Sequence, residues 1–416
     1  MSALRRELWF LWRDRAAKVW IAIAFLAASL AVLFGLNEVS AQRATIERLK
    51  VADQVERTVA IEEYRDWGSA AYYTFHLTYD PPSDFAFAAL GQRDAAPWKH
   101  RVRMLALEGQ IYETDAANPD FALIGRFDFA FVAAMISPLL LILLLHDIRA
   151  SERANGRFEL LSATSANGTG LWFSRAGWRV GALALALLIP LWAGSAMSGA
   201  STGVMALASG AVVLHLIVWW FVAAWINGRN WTAPVNLTAL FGLWLAIAVV
   251  TPAAINAGVD AAVPVPRGGD IMLTQREAVN DAWDLPVSAT MDPFLERHPA
   301  WAPYGEIEGT FEWKWYYAFQ QVGDQTVEPL SIAYREGRET RDQLAAALSW
   351  LSPPAKLERA LQSFANTDVQ AVSAYEDRVR AFHAELRAYY YPNMFPEEPF
   401  TDAALAPRPD FEAPAG

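Results

Sequence analysis

Residues 127–157 read FDFAFVAAMISPLLLILLLHDIRASERANGR. From Phe127 to His146 the run is apolar except for Asp128 at one edge and His146 at the other. As a helix rising about 1.5 Å per residue, such a run crosses the roughly 30 Å hydrocarbon core of a bilayer. It opens directly into a polar stretch containing Arg149, Arg153 and Arg157, and Arg175 and Arg179 close the same segment. Arginines crowded beside a short loop mark the cytoplasmic side of a membrane. One helix therefore enters the cytoplasm here, a polar segment turns, and another helix leaves near Trp178. A segment of this kind can receive force from a cytoplasmic partner.

Working outward, the same pattern recurs. Residues 1–18 carry Arg5, Arg6, Arg13, Arg15 and Lys18, with Leu4, Leu8, Leu11 and Trp12 at helical spacing. They predict an amphipathic helix on the cytoplasmic membrane surface. A first span follows over 19–38. Residues 39–126 are then extracytoplasmic, with a short helix and a small irregular or α+β cap expected. Residues 127–257 hold spans two to five, with the cytoplasmic loop at 147–177 and a short turn carrying Arg229. Five crossings from a cytoplasmic start leave residues 258–416 outside. That tail holds 25 acidic and 13 basic residues, whereas the whole chain has a net charge of -11. Helical patterns appear in it at 273–284, 340–350 and 355–390, the last interrupted near Asn366. The aromatic stretch from Phe311 to Phe319 reads as core or membrane anchor, and no sixth span is read after Pro392. The fold class is thus an all-α integral membrane bundle of five transmembrane helices with mostly helical extracytoplasmic insertions.

Composition agrees: 54% of residues are hydrophobic and mean hydropathy is +0.14. There is no cysteine, hence no disulfide, thiolate metal site or cysteine nucleophile. So acidic a chain is not expected to bind nucleic acid. No phosphate-binding Gly-x-x-x-x-Gly-Lys-Ser/Thr, no His-Glu-x-x-His and no Gly-x-Ser-x-Gly occurs. The six histidines lack ligand spacing, and neither a catalytic nor a metal site is expected. His215 falls in the fourth span, where an ionisable group is a functional candidate. Asp128 reads as a headgroup-level residue, and Arg13-Asp14 and Arg65-Asp66 as solvated pairs.

The order of these features resembles the permease subunits of ABC-2-type ABC transporters, in the branch with large extracytoplasmic insertions often labelled as multi-copper enzyme maturation permeases. In that family the second span leads into an acidic/basic motif, a glycine and a Leu-rich stretch. Here these are Asp147, Glu152-Arg153, Gly156-Arg157 and Glu159-Leu160-Leu161. Ala154 and Arg157 stand where the family often has Glu and Thr. Glu7 and Arg13-Asp14 before the first span also fit, as do Leu351-Ser-Pro-Pro and Tyr391-Pro-Asn-Met-Phe in the tail. The family ends on a sixth span that is not read here.

The resemblance implies an exporter subunit in a bacterial inner membrane, without an ATPase site of its own. ATP would be bound by a separate ABC ATPase subunit, docked on residues 3–16 and the 149–175 loop. A second permease subunit, the same or paralogous, would pair with this one, and a periplasmic partner would meet the acidic tail. The residues implied in coupling to the ATPase are Glu7, Glu152, Arg153, Gly156 and Arg157. The substrate is not legible. A second expectation is a non-transporting scaffold or sensor that presents its outer domain to a partner.

Overall fold

The computed structural model describes residues 3–112, 127–164 and 168–413. The parts of the outer segment at 113–126 and of the polar loop at 165–167 lie outside them. The described chain is almost wholly helical, with one two-stranded antiparallel sheet.

Amphipathic α1 (Ala3–Arg13) ends at Asp14, which caps the next helix by accepting from the Ala17 amide at 3.1 Å. That helix, α2 (Arg15–Glu63), runs unbroken for 49 residues. At about 1.5 Å per residue it is about 73 Å long, more than twice a bilayer core. The expected boundary at residue 38 is therefore not a break. The chain leaves the apolar layer as helix and continues to a second, non-membrane domain built around its own core.

The short α3 (Trp67–Tyr73) is capped by Asp66, and β1 (His76–Tyr79) pairs with β2 (Lys99–Val102). Asp14 and Asp66 are thus helix caps, each supplying the acceptor that a helix start lacks; Arg65 and Asp66 stay exposed as expected, whereas Asp14 is also held by Arg179. After α4 (Leu107–Tyr112) comes the second span, α5 (Phe129–Ala154), then α6 (Phe158–Thr164). The remaining spans are α7 (Gly168–Ser198), α8 (Thr202–Asn227) and α9 (Ala233–Ala262). With α2, they make five helices long and apolar enough to cross a membrane. This is an α-helical membrane protein.

Two spans share a device. In α5 a π turn at Val132–Ile136 precedes Pro138, and in α9 a π turn at Ala246–Val250 precedes Pro252. Proline lacks an N–H and clashes with the preceding turn, so the ladder shifts to a wider bond. The hydroxyl before each proline also bonds the backbone: Ser137, whose amide goes to Val132, donates to the Ala133 carbonyl at 2.6 Å, and Thr251 adds a bond at 2.9 Å to the Ala246 carbonyl that its own amide also uses.

The tail forms α10 (Gly268–Asp281), α11 (Ser288–Arg297), α12 (Trp313–Leu348), α13 (Pro353–Phe364) and α14 (Val369–Met394). The helix expected at 340–350 is the end of the much longer α12. From Trp313 onward the aromatic stretch is its first two turns, where Trp315, Tyr317 and Phe319 are buried in the core of the non-membrane domain. The break near Asn366 is real. Asn366 takes φ +54°, and the Thr367 amide reaches back to the Gln362 carbonyl at 3.0 Å, ending α13 as a left-handed cap.

Two segments expected wholly outside reach into the bundle core. Phe87 is fully buried between the first and third spans, where Gly35 and Gly194 leave room for it. A Cβ on Gly35 would lie 1.9 Å from the Phe87 carbonyl oxygen. Helix α13 packs on α8 and on the π turn of α5 through Leu357 and Leu361. Asp128, expected at headgroup level, is buried at this junction. It caps α5 by accepting from the Phe131 amide at 2.8 Å and also takes the Leu90 amide at 2.9 Å. His215 is buried on α8, its ring facing the Ala134 and Pro353 carbonyls without a hydrogen bond of normal geometry.

Candidate functional site

The turn after the second span is built by glycine. At the end of α5, Gly156 has φ +68°, its amide bonds the Arg153 carbonyl at 3.0 Å, and the Arg157 amide bonds the Glu152 carbonyl at 2.9 Å. This pair of bonds is a Schellman cap, which needs a residue in the left-handed region and so favours glycine. The cap turns Glu152 inward and leaves 154–157 exposed.

Glu152 then meets α1 and the start of the third span through one arginine. Arg175 on α7 donates from Nε to Glu7 Oε2 at 2.9 Å and from Nη1 to Glu152 Oε1 at 3.1 Å. Arg157 donates to the other Glu152 oxygen at 2.7 Å. Glu7 is 2% exposed, so its carboxylate depends on that guanidinium. One turn further along α7, Arg179 bonds Asp14 Oδ2 at 2.7 Å and the Leu144 carbonyl at 3.1 Å. Arginine suits this place because its planar fork can serve two acceptors at once. Trp172 stacks on Phe158 at 5.2 Å, and Arg175 lies 5.3 Å from the Trp172 ring. Arg153 turns away, to the Arg229 and Trp231 carbonyls at 3.0 and 3.2 Å. It ties the turn after the fourth span to the same assembly.

Of the residues singled out from sequence, Glu7, Glu152 and Arg157 thus share one network, with Arg153 and Gly156 shaping its loop. Arg175 and Arg179, which join the halves, were legible only as loop charges. A signal was present: two arginines four apart on one helical face, matched by Glu7 and Asp14 seven apart. Deciding which cations meet which anions required the tertiary structure. Beyond the network, Leu160 is 65% exposed beside Glu159, an apolar knob on an otherwise charged face.

The non-membrane domain is held by buried ion pairs of its own. Arg93 joins Asp80 at 2.6 Å and Gln42 of α2 at 3.0 Å, and Arg378 of α14 takes the second Asp80 oxygen. Glu108 accepts both from Arg380, at 2.8 and 3.0 Å, and from Ser331. Burial alone would raise its pKa, but the Arg380 bonds and charge outweigh that and hold it below the ordinary value. His76 and His383 are buried without a carboxylate partner, and burial pushes both well below 6.5. Among the described residues no group of three or more potential metal ligands occurs.

Residues 271–413 match the model of a domain of unknown function (DUF3526). That match runs from within α10 through α14 to residue 413 and includes none of the Glu7–Arg175–Glu152 network. Neither a curated protein nor a solved structure matches the chain.

Proposed function

We propose that this chain is the membrane subunit of an ABC exporter, driven by a separate ATPase docked on α1 and the 147–177 loop. The observation that carries the reading is the Glu7–Arg175–Glu152–Arg157 network. It fastens the amphipathic helix, the loop and the third span to each other, so a push on the loop would move a span and not merely the loop. The exposed turn at 154–157 with Leu160 supplies a docking face of mixed charge and one apolar contact. In this reading the arginine-rich loops lie in the cytoplasm of a bacterial cell and the acidic domain faces the periplasm. ATP binds only the partner, and a second membrane subunit completes the translocation path.

The test is co-purification with an ATPase whose hydrolysis responds to this chain. Glu152→Ala and Arg153→Ala should lower that response at unchanged expression. Normal coupling in both variants, or no ATPase partner, would count against the proposal.

A second reading, a non-transporting sensor or scaffold, draws on a cleft of about 480 Å³ in the outer domain. Trp67, Trp313 and Phe400 wall it, and Lys314 sits between Glu312 and Glu397 at 2.9 and 3.1 Å. If this reading holds, partner binding will survive every substitution at Glu152 and Arg153 and fail on substitution at Trp313.

A further inference from the structure

A cavity lies apart from both the ion-pair network and the aromatic cleft at Trp313. It is an open groove of about 910 Å³ between α1, α2 and α7. Trp9 and Trp12 form one wall, Phe25 and Leu185 another, and Ala22 and Ala182 keep the floor low. Apart from Lys18 the lining is apolar. Three observations bear on what fills it.

First, Lys18 stands at the groove and Arg15 shares its helical stripe, three residues away along the line Arg15, Lys18, Ala22, Phe25. Both are exposed. Among the described residues no carboxylate pairs with Arg13, Arg15 or Lys18, because the two nearby acids are already taken: Glu7 by Arg175 and Asp14 by Arg179. The mouth therefore presents uncompensated positive charge. Second, the ring faces are used to place these cations. Arg13 lies 4.5 Å from the Trp9 ring and Lys18 lies 5.8 Å from that of Trp12. Third, α2 passes from charged to wholly apolar sequence at Val19. The cations thus sit where a span enters the bilayer and the apolar floor lies at acyl-chain depth.

We infer that this groove is a binding site for one anionic phospholipid. An acyl chain lies over Ala22 and Ala182 between Phe25 and Leu185, and the headgroup phosphate is held by Lys18 and Arg15. A bare apolar face would accept any lipid or another helix. The unpaired cations at one end select an amphiphile that is negative at that end. The lipid would brace α1 against α2 and α7, beside the network that holds the same helix. The inference rests on the spans crossing a bilayer and is independent of the transport reading.

The test uses the full chain purified in detergent and titrated with phosphatidylglycerol or phosphatidylcholine, bound lipid being counted by native mass spectrometry. The wild type should retain one phosphatidylglycerol preferentially. Arg15→Gln with Lys18→Gln should weaken that binding roughly 25-fold, about fivefold per cation, and weaken phosphatidylcholine binding much less, since its choline cation already offsets the phosphate. Ala182→Phe should displace the lipid without touching a charge. Equal affinity for the two lipids, or unchanged phosphatidylglycerol binding in either variant, would overturn the assignment. Because the chain has no cysteine, Leu185→Cys gives a single thiol in the groove. Efficient disulfide dimers in membranes would assign the groove to a second copy instead, and their absence agrees with a lipid.

Discussion

Replacing Arg175 with alanine removes the group that Glu7 and Glu152 share. Glu152 keeps Arg157 at 2.7 Å and is near solvent. Glu7 keeps only Arg6 at 3.5 Å, and its side chain is 1% exposed. Removing one partner of a buried ion pair costs about 3–5 kcal/mol, because the stranded charge stays buried. Arg175 is 14% exposed, so water can partly take its place and the lower end, about 3 kcal/mol, applies. Helix α1 is joined to the bundle chiefly through α7, so the cost should appear as local release of α1 and not as global unfolding. Hydrogen exchange over residues 5–13 should then accelerate by roughly 150-fold, the equivalent of about 3 kcal/mol. Adding Glu7→Gln to Arg175→Ala should restore much of the protection, since the stranded charge is gone. Arg175→Lys should fall between, because an ammonium cannot span both carboxylates in the same geometry. If Arg175→Ala leaves exchange within threefold of wild type, or if Glu7→Gln adds a further loss to it, the network does not hold α1 and the relay argument fails.

Two glycines should respond differently to alanine. Gly156→Ala meets no atom within 4 Å and carries only the left-handed backbone penalty, about 1–2 kcal/mol. Gly35→Ala drives its Cβ into the Phe87 carbonyl and should cost more, about 3 kcal/mol; thermal midpoints of the two variants in one detergent give the order. The non-membrane domain should weaken on mild acidification. His76 has its folded pKa depressed below 6.5, so the unfolded chain binds the extra proton first and stability falls as pH drops through 6.5 toward the folded value. Between pH 6.5 and 5.5 this amounts to about 1 kcal/mol, and His76→Leu should flatten that part of the stability-against-pH curve.

Several features of this protein were decided by its sequence alone. Runs of about twenty apolar residues have no stable place in water, so span number and position follow from local hydropathy. The cap at Gly156, the stop at Asn366 and the helix starts where Ser352 accepts from the Ala355 amide and Asp368 from the Ala371 amide likewise depend on a few neighbouring residues. Local reading also misled: Asp128 at the end of an apolar run looks like a headgroup residue until Leu90, distant in sequence, is seen to bury it.

The tertiary structure alone decided which distant groups meet. Ion pairing is a contest among 34 basic and 45 acidic side chains, and only three-dimensional proximity names Arg175 as the partner of both Glu7 and Glu152. The placing of Phe87 and α13 in the bundle core depends on shape as well as hydropathy. Gly35 and Gly194 open a slot between two spans, and the π turn before Pro138 presents the surface on which α13 rests. Such fits involve residues hundreds of positions apart, and no local pattern carries them.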